Sequence, residues 1–86
     1  MGVAVNEQDE IAVSDVGNHK IHLFKSDGTH VKSFGGFGAQ PGEFNRPAGI
    51  AFHVDDIIMA EQHNNRVQEV SKQGKYLQGP RRGRGW

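Results

Sequence analysis

A chain of 86 residues is long enough for one small domain, which would bury about 60% of its unfolded surface and be marginally stable on its own. Its composition, 35% hydrophobic and 23% charged with 12 glycines, excludes a collagen-like chain, a coiled coil and a membrane-spanning chain. No cysteine is present, which excludes disulfides, thiolate zinc sites and thiol catalysis. The net charge is zero only because of Arg81, Arg82 and Arg84. Without them 7 basic residues stand against 10 acidic ones, a net charge of −3.

Short apolar runs separated by Asn, Asp and Gly predict eight β-strands and no helix. In chain order, the strands are expected near residues 2 to 5, 10 to 14, 20 to 24 and 30 to 34, then near residues 49 to 53, 57 to 60, 66 to 70 and 75 to 78. Turn residues separate them. Gly17-Asn18 and Asn64-Asn65 tolerate positive φ, and Asp15 is expected to accept hydrogen bonds from the amides of the first turn. Gly28 and Gly74 suit the left-handed position of a hairpin.

The second half of the chain repeats the first at an offset of 46 or 47 residues. Gly2-Val3-Ala4-Val5 recurs as Gly49-Ile50-Ala51-Phe52, and Asn18-His19-Lys20-Ile21 recurs as Asn64-Asn65-Arg66-Val67. Four short antiparallel strands repeated at this spacing are typical of a propeller blade. Two blades do not close a ring, so apolar faces and strand edges would stay bare. The remaining blades would come from a longer parent chain or from homotrimerisation.

Several segments resemble NHL repeats. The segment Phe44-Asn45-Arg46-Pro47-Ala48-Gly49-Ile50-Ala51 resembles the opening of such a repeat, and the run from Ile11 to Phe24 looks like its central part. This resemblance, over residues 2 to 79, implies an all-β fold with two four-stranded antiparallel blades of a six-bladed NHL-type β-propeller, either a fragment or a self-assembling ring. Residues 2–35 would form blade 1, 36–48 the inter-blade link, 49–79 blade 2, and 80–86 a basic Arg/Gly tail. The second copy departs from the pattern, with Glu61 in place of the usual Asp and a charge at Glu69.

Candidate catalytic chemistry is sparse. His19 and His22 are three apart in extended chain and alternate between faces, so they do not predict a metal site. The acidic loops lack the alternating carboxylates and glycine of a calcium loop. Ser14, Ser26, Ser33 and Ser71 have no local partner pattern for a nucleophile. We therefore expect no catalytic residue, metal or cofactor. The alternative is a fragment of a propeller enzyme of the amidating-lyase or lactonase kind, whose site would be drawn from all blades.

Binding is the favoured function. In a propeller, the turns between second and third strands and the inter-blade links share one face, and the family resemblance implies that this face binds protein or single-stranded or hairpin RNA. We predict partner contacts from Arg46, Asn64, Asn65, Arg66, His19 and Lys20.

The resemblance also implies a wider context. NHL propellers often form the C-terminal part of tripartite-motif ubiquitin ligases, so the chain would be a fragment of such a ligase or regulator. Ligase activity would require a RING domain, whose zinc ligands include cysteines that this chain lacks. The Arg/Gly tail, ending in Trp86, is a separate RNA-binding hypothesis. The N-terminus lacks the features of a signal peptide, and we expect a cytoplasmic protein without membrane contact.

Overall fold

The computed structural model describes residues 2–78. In this range, blade 1 consists of β1 (Val3–Val5), β2 (Ile11–Asp15), β3 (Lys20–Phe24) and β4 (His30–Gly35). Blade 2 consists of β5 (Pro47–His53), β6 (Asp56–Glu61), β7 (Arg66–Val70) and β8 (Tyr76–Gln78). Each blade is a four-stranded antiparallel sheet in which every strand pairs with the next in sequence. The predicted all-β fold is confirmed, and the two sheets are consistent with propeller blades. The predicted tail, residues 80–86, lies outside the described residues.

No helix long and apolar enough to cross a membrane is present in the part of the chain that the structure describes.

The two blades have the same hairpin between their third and fourth strands. Gly28 has a φ of 90° and Gly74 a φ of 89°, which confirms the predicted left-handed glycines. The amide of each glycine donates a 2.9 Å hydrogen bond to the carbonyl three residues earlier. In the turns between second and third strands, the predicted positive φ is confirmed at Asn65 (49°) of blade 2, but in blade 1 it falls on His19 (57°) and not on Gly17-Asn18.

The hydrophobic core lies between the two blades. Each blade contributes three buried side chains and the link adds one ring: Ala12, Ile21 and Leu23 from blade 1, Ile57, Met59 and Val70 from blade 2, and Phe44 from the link. Strand side chains alternate between faces, so the residues between these positions point away from the interface. The interface therefore buries one face of each blade and leaves each blade with an outer face.

Phe44 joins the link to this core. Its side chain is fully buried, and a Cβ at Gly35 would lie only 2.5 Å from the Phe44 ring. Gly35 also has a φ of 105°, so glycine is required there by both backbone conformation and space. A second close approach lies at Gly2, where a Cβ would be 2.5 Å from the Ala48 carbonyl oxygen. The blades are thus in direct backbone contact at this seam.

A buried serine connects the two blades where Gly2 and Ala48 approach each other. The Ser14 Oγ accepts a 2.7 Å hydrogen bond from the amide of Gly2 and donates across the interface to the Ala48 carbonyl at 3.2 Å. At Gly49 no such close approach occurs among the described residues, because a Cβ there would meet only the Ala60 side chain, at 3.4 Å. Gly49 is the repeat counterpart of Gly2, and it lies on the outer face of blade 2.

Candidate binding face

The loop face is formed by three segments: the β2–β3 turn (residues 16–19), the link (residues 36–46) and the β6–β7 turn (residues 62–65). Phe37, in the link, has 69% of its surface exposed. Its ring packs edge-on against the His19 ring, with 5.1 Å between centroids. The amide of Arg46 donates to the Nδ1 of His19 at 3.0 Å. An exposed aromatic ring and an imidazole therefore lie side by side, and the Arg46 backbone is hydrogen-bonded to the imidazole.

The link is a compact loop anchored at both ends. The amide of Gly36 donates to the His19 carbonyl at 2.9 Å, and the amide of Phe44 donates to the Gly36 carbonyl at 2.7 Å. Phe37 and Phe44 form an isolated parallel bridge. Since Phe44 is buried in the core, this pairing holds the Phe37 backbone against the molecule while its ring faces solvent.

Four side chains of blade 2 form what we call the link site of blade 2: Glu61, Asn64, Arg66 and Gln68. Glu61 is fully buried at its side chain, and its carboxylate accepts hydrogen bonds from Arg66 Nε at 2.6 Å and from Gln68 Nε2 at 2.7 Å. It also accepts from Asn64 Nδ2 at 2.7 Å. The departure from the usual Asp is thus matched by a full set of donors, as a buried charge requires.

The link site of blade 2 holds the link through its backbone. Arg66 donates to the carbonyls of Ala39 at 2.7 Å and of Glu43 at 3.0 Å. Gln68 Nε2 donates to that Glu43 carbonyl at 2.9 Å, and its Oε1 accepts from the amide of Gly42 at 2.9 Å. Because these donors are engaged inside the protein, Arg66 positions the link in this structure. Its contact with a partner stays a prediction.

The other predicted contact residues fall into two groups. Arg46 and Asn65 are exposed on the loop face, and the Arg46 Nε donates to the Gln62 side chain at 3.4 Å. Asn64 is half-buried and donates to Glu61 and to the Gly38 carbonyl. Lys20 is half-buried on β3 of blade 1, beside the turn that carries His19. The structure thus brings Arg46 and His19 together and uses Asn64 and Arg66 to support the link.

A polar chain on blade 1 was missed by sequence reasoning. The Asp15 carboxylate accepts a hydrogen bond from Asn18 Nδ2 at 2.9 Å. The same carboxylate is hydrogen-bonded to the Nε2 of His22 at 3.0 Å. The Asn18 side chain, and after it His22, lower the pKa of Asp15 to about 2. The Nδ1 of His22 lies 2.6 Å from Ser33 Oγ, which is 2.7 Å from the Nε2 of His30.

Ser33, for which we expected no local partner pattern of a nucleophile, is hydrogen-bonded to His22 and His30 in this polar network. The contacts depend on cross-strand register, in which His22 opposes Ser33, a pairing that sequence spacing does not display. The expected hydrogen bond from the first turn to Asp15 is confirmed, since the amide of Asn18 donates to its Oδ1 at 3.1 Å. Within residues 2–78, no group of three or more His, Asp or Glu side chains is placed to hold a metal ion.

A polar cleft of about 330 Å³ lies at the edge of the blades opposite the β2–β3 turn, lined by Gln8, Glu10, Lys25, Ser26 and Lys72. The Lys72 ammonium bridges the blades through a 2.7 Å ion pair with Glu10 and lies 3.8 Å from Asp55. These contacts raise the pKa of Lys72, with the Glu10 hydrogen bond as the main cause. The cleft contains none of the predicted contact residues.

Glu69, expected as a charge on a buried strand, is 5% exposed, and its carboxylate lies 3.4 Å from the Nδ1 of His53.

Comparison with known proteins links the chain to three much longer ones. It is 32% identical to Protein brain tumor of Drosophila melanogaster over 79 residues, a match that covers 88% of this chain. It is 43% identical over 51 residues to RING finger protein nhl-1 and 40% identical over 48 residues to B-box type zinc finger protein ncl-1, both of Caenorhabditis elegans, covering 59% and 55% of this chain. No family model matches the chain. The chain spans only 8%, 5% and 6% of these relatives. The similarity and the two sheets are consistent with NHL-type blades in a segment of such a protein.

Proposed function

We propose that this chain is a non-catalytic binding module of the NHL-repeat family, part of a tripartite-motif-like ubiquitin ligase or regulator, and that its loop face binds single-stranded RNA. The observation that carries the proposal is the exposed Phe37 ring held edge-on to His19 beside Arg46. The names of two relatives, which include a RING finger and a B-box zinc finger, support the wider context. In this proposal the protein is cytoplasmic, and further blades from a parent chain or from copies of this chain complete the ring.

The chemistry of the loop face favours RNA over a folded protein partner. An exposed aromatic ring stacks on an unpaired base for about 1 to 3 kcal/mol, whatever the base. Arg46 supplies a guanidinium for a phosphate or a second stacking surface, and His19 and His63 flank it. The face is small and carries one large exposed apolar side chain, which is less than the clustered apolar anchors of a protein interface require.

Fluorescence anisotropy with a labelled pool of random single-stranded RNA octamers tests the proposal. We expect binding that weakens as KCl rises, because phosphate contacts release counterions. Phe37→Ala should lower affinity about fivefold or more through lost stacking, and Arg46→Ala should reduce both the affinity and its salt dependence.

Lys75→Ala is the matched control for charge. Lys75 is exposed in the β7–β8 hairpin, at the opposite edge of blade 2, and its loss changes the net charge as Arg46→Ala does. If the two substitutions lowered the RNA affinity equally, then net charge alone would explain the binding, which would contradict a site on the loop face. Absence of RNA binding, together with a protein partner whose capture depends on Phe37, would instead assign the face to protein recognition.

A further inference from the structure

Four polar side chains on the sheet of blade 1 form what we call the Ser33 network: Asp15, His22, Ser33 and His30. RNA binding at the loop face uses none of their contacts with one another. We propose that Ser33 is a nucleophile, activated by His22, that takes an acyl group from an activated ester or thioester. This reactive site does not depend on the function proposed for the loop face.

Strand register assembles the Ser33 network from three strands. His22 on β3 is directly opposite Ser33 on β4, at the spacing where cross-strand side chains meet. Asp15 on β2 is a diagonal neighbour of His22, because the residue directly opposite His22 is Val13. A carboxylate, an imidazole and a hydroxyl therefore follow one another across the sheet, in the order of a nucleophilic triad.

A β-bulge brings the second imidazole to the same face. His30 and Ser33 are three residues apart on β4, a spacing that in a regular strand places side chains on opposite faces. The register shifts next to Phe24, which pairs with His30, while Leu23 pairs with Lys32. The Phe24 ring packs edge-on against the His30 ring, with 5.4 Å between centroids. As a result, His30 Nε2 lies 2.7 Å from Ser33 Oγ.

One arrangement of protons satisfies the network when His22 is neutral. Asn18, and after it His22, lower the pKa of Asp15 to about 2, so at neutral pH the carboxylate accepts and His22 Nε2 donates, over 3.0 Å. The Nδ1 of this ring is then an acceptor, and the Ser33 hydroxyl donates to it over 2.6 Å. His30 Nε2 donates to the remaining lone pair of Ser33 Oγ. His22 is thus a general base aligned with the hydroxyl proton, and Asp15 orients it.

Solvent reaches the Ser33 network. The side chains of Asp15 and His22 are 25% and 26% exposed. Ser33 is half-buried and His30 is exposed. Both belong to β4, the outermost strand of blade 1, and no residue of this strand is part of the fully buried core between the blades. A small electrophile therefore has access to the Ser33 hydroxyl.

The reaction is an acyl transfer. Ser33 Oγ attacks the carbonyl carbon of the donor while its proton passes to His22 Nδ1, and a tetrahedral intermediate forms. When the intermediate collapses, the bond to the aryloxide or thiolate breaks, the leaving group takes the proton from His22, and acyl-Ser33 remains. His30 Nε2 is the one donor near the developing oxyanion that is hydrogen-bonded to Ser33 Oγ within residues 2–78. We therefore expect reaction with donors that have good leaving groups, and none with peptides or alkyl esters.

Blade 2 has the same positions without the chemistry. At the repeat offset of 46 residues, Gln68 stands at the position of His22 and Gly79 at that of Ser33. An amide is not a base, and glycine has no hydroxyl. Gln68 instead binds the backbone of the link. Since the fold accommodates glutamine at this position of the repeat, His22→Gln removes the base with little change of shape.

Labelling of the purified chain with a fluorophosphonate probe, which reacts with activated serine hydroxyls, tests the proposal. We expect a single adduct, located at Ser33 by peptide mass spectrometry, and acetylation of the same hydroxyl by p-nitrophenyl acetate. His22→Gln should lower the labelling rate about 100-fold through loss of the base. His30→Ala should lower it about tenfold, a smaller effect because this donor is exposed. Ser26→Ala removes an exposed hydroxyl in the β3–β4 hairpin and, as the matched control, should leave the rate unchanged.

Asp15 is a positioning residue, so its role is read from the tautomer of His22. Long-range ¹H–¹⁵N spectra at a pH of about 8, where an ordinary imidazole is neutral, should show the proton of His22 on Nε2. Asp15→Asn presents a donor to Nε2, which moves that proton to Nδ1 and slows labelling. Three results would overturn the proposal: no adduct at Ser33, equal labelling rates for the unsubstituted chain and His22→Gln, or a proton on Nδ1 of His22 in the unsubstituted chain.

Discussion

Loss of the carboxylate at Glu61 should be among the most destabilising single changes in this chain. In Glu61→Gln the shape of the side chain is kept, but the Arg66 guanidinium, whose side chain is 9% exposed, loses its counterion. The Gln amide nitrogen replaces one carboxylate oxygen, so it presents a donor either to Asn64, which donates to Oε1, or to Gln68, which donates to Oε2. Removing one partner of a buried ion pair costs about 3 to 5 kcal/mol. A chain of this size has a total stability of about 4 to 13 kcal/mol.

Urea denaturation followed by circular dichroism measures this effect, with Asp15→Asn as the control. Asp15 is the repeat counterpart of Glu61, and its side chain is 25% exposed, so solvent can replace most of what the carboxylate provides. We expect a large fall in the urea midpoint for Glu61→Gln and a small one for Asp15→Asn.

A double-substituted variant identifies the cause. If the uncompensated charge of Arg66 is responsible, then adding Arg66→Met to Glu61→Gln should recover part of the lost stability. A cost below about 1 kcal/mol for Glu61→Gln, or a double variant that loses the full sum of both single costs, would refute the account of the link site of blade 2 as a coupled buried pair.

Two further predictions concern stability. The hydrogen bond from Lys72, and after it the one from Asn6, lowers the pKa of Glu10 below its ordinary value of 4.5. The ionised carboxylate therefore stabilises the fold above about pH 4.5, and this stabilisation is lost as the pH falls through the folded-state pKa. Lys72→Met should reduce this acid-side loss of the urea midpoint, and an unchanged pH profile would argue against the ion pair. Gly74→Ala should destabilise more than Gly28→Ala: both glycines have φ near 90°, but a Cβ at position 74 would lie 2.7 Å from the Phe34 ring, while one at position 28 meets nothing within 4 Å. Equal thermal midpoints for the two variants would contradict this packing of Phe34.

The strands were predictable because their signals are local. Each apolar run and each Gly or Asn turn predicts an element from a few neighbouring residues, and the repeat supplied every prediction twice. The turn between second and third strands shows the limit of this reasoning. Positive φ was expected at Gly17-Asn18 from residue preference, but the hydrogen bonds of the Asp15 carboxylate to Asn18 place it at His19.

The candidate contact residues were predictable by location and less so by role. Sequence reasoning placed Arg46, His19 and Arg66 at one edge of the blades, and all three lie on segments that meet there. Their roles depend on what surrounds each side chain. Arg66 has a buried carboxylate and the link carbonyls within reach. The Arg46 backbone has a φ of 57°, and its side chain is exposed to solvent.

By itself, the sequence determined the repeat, the strand order and the hairpin turns, since these follow from period and turn chemistry within about ten residues. Only the tertiary structure decided which polar side chains hold the link and which face solvent. That choice depends on contacts between distant residues, such as Arg66 with Ala39 and His22 with Ser33. Such contacts are set by strand register and by the packing of one blade on the other, which no local pattern encodes.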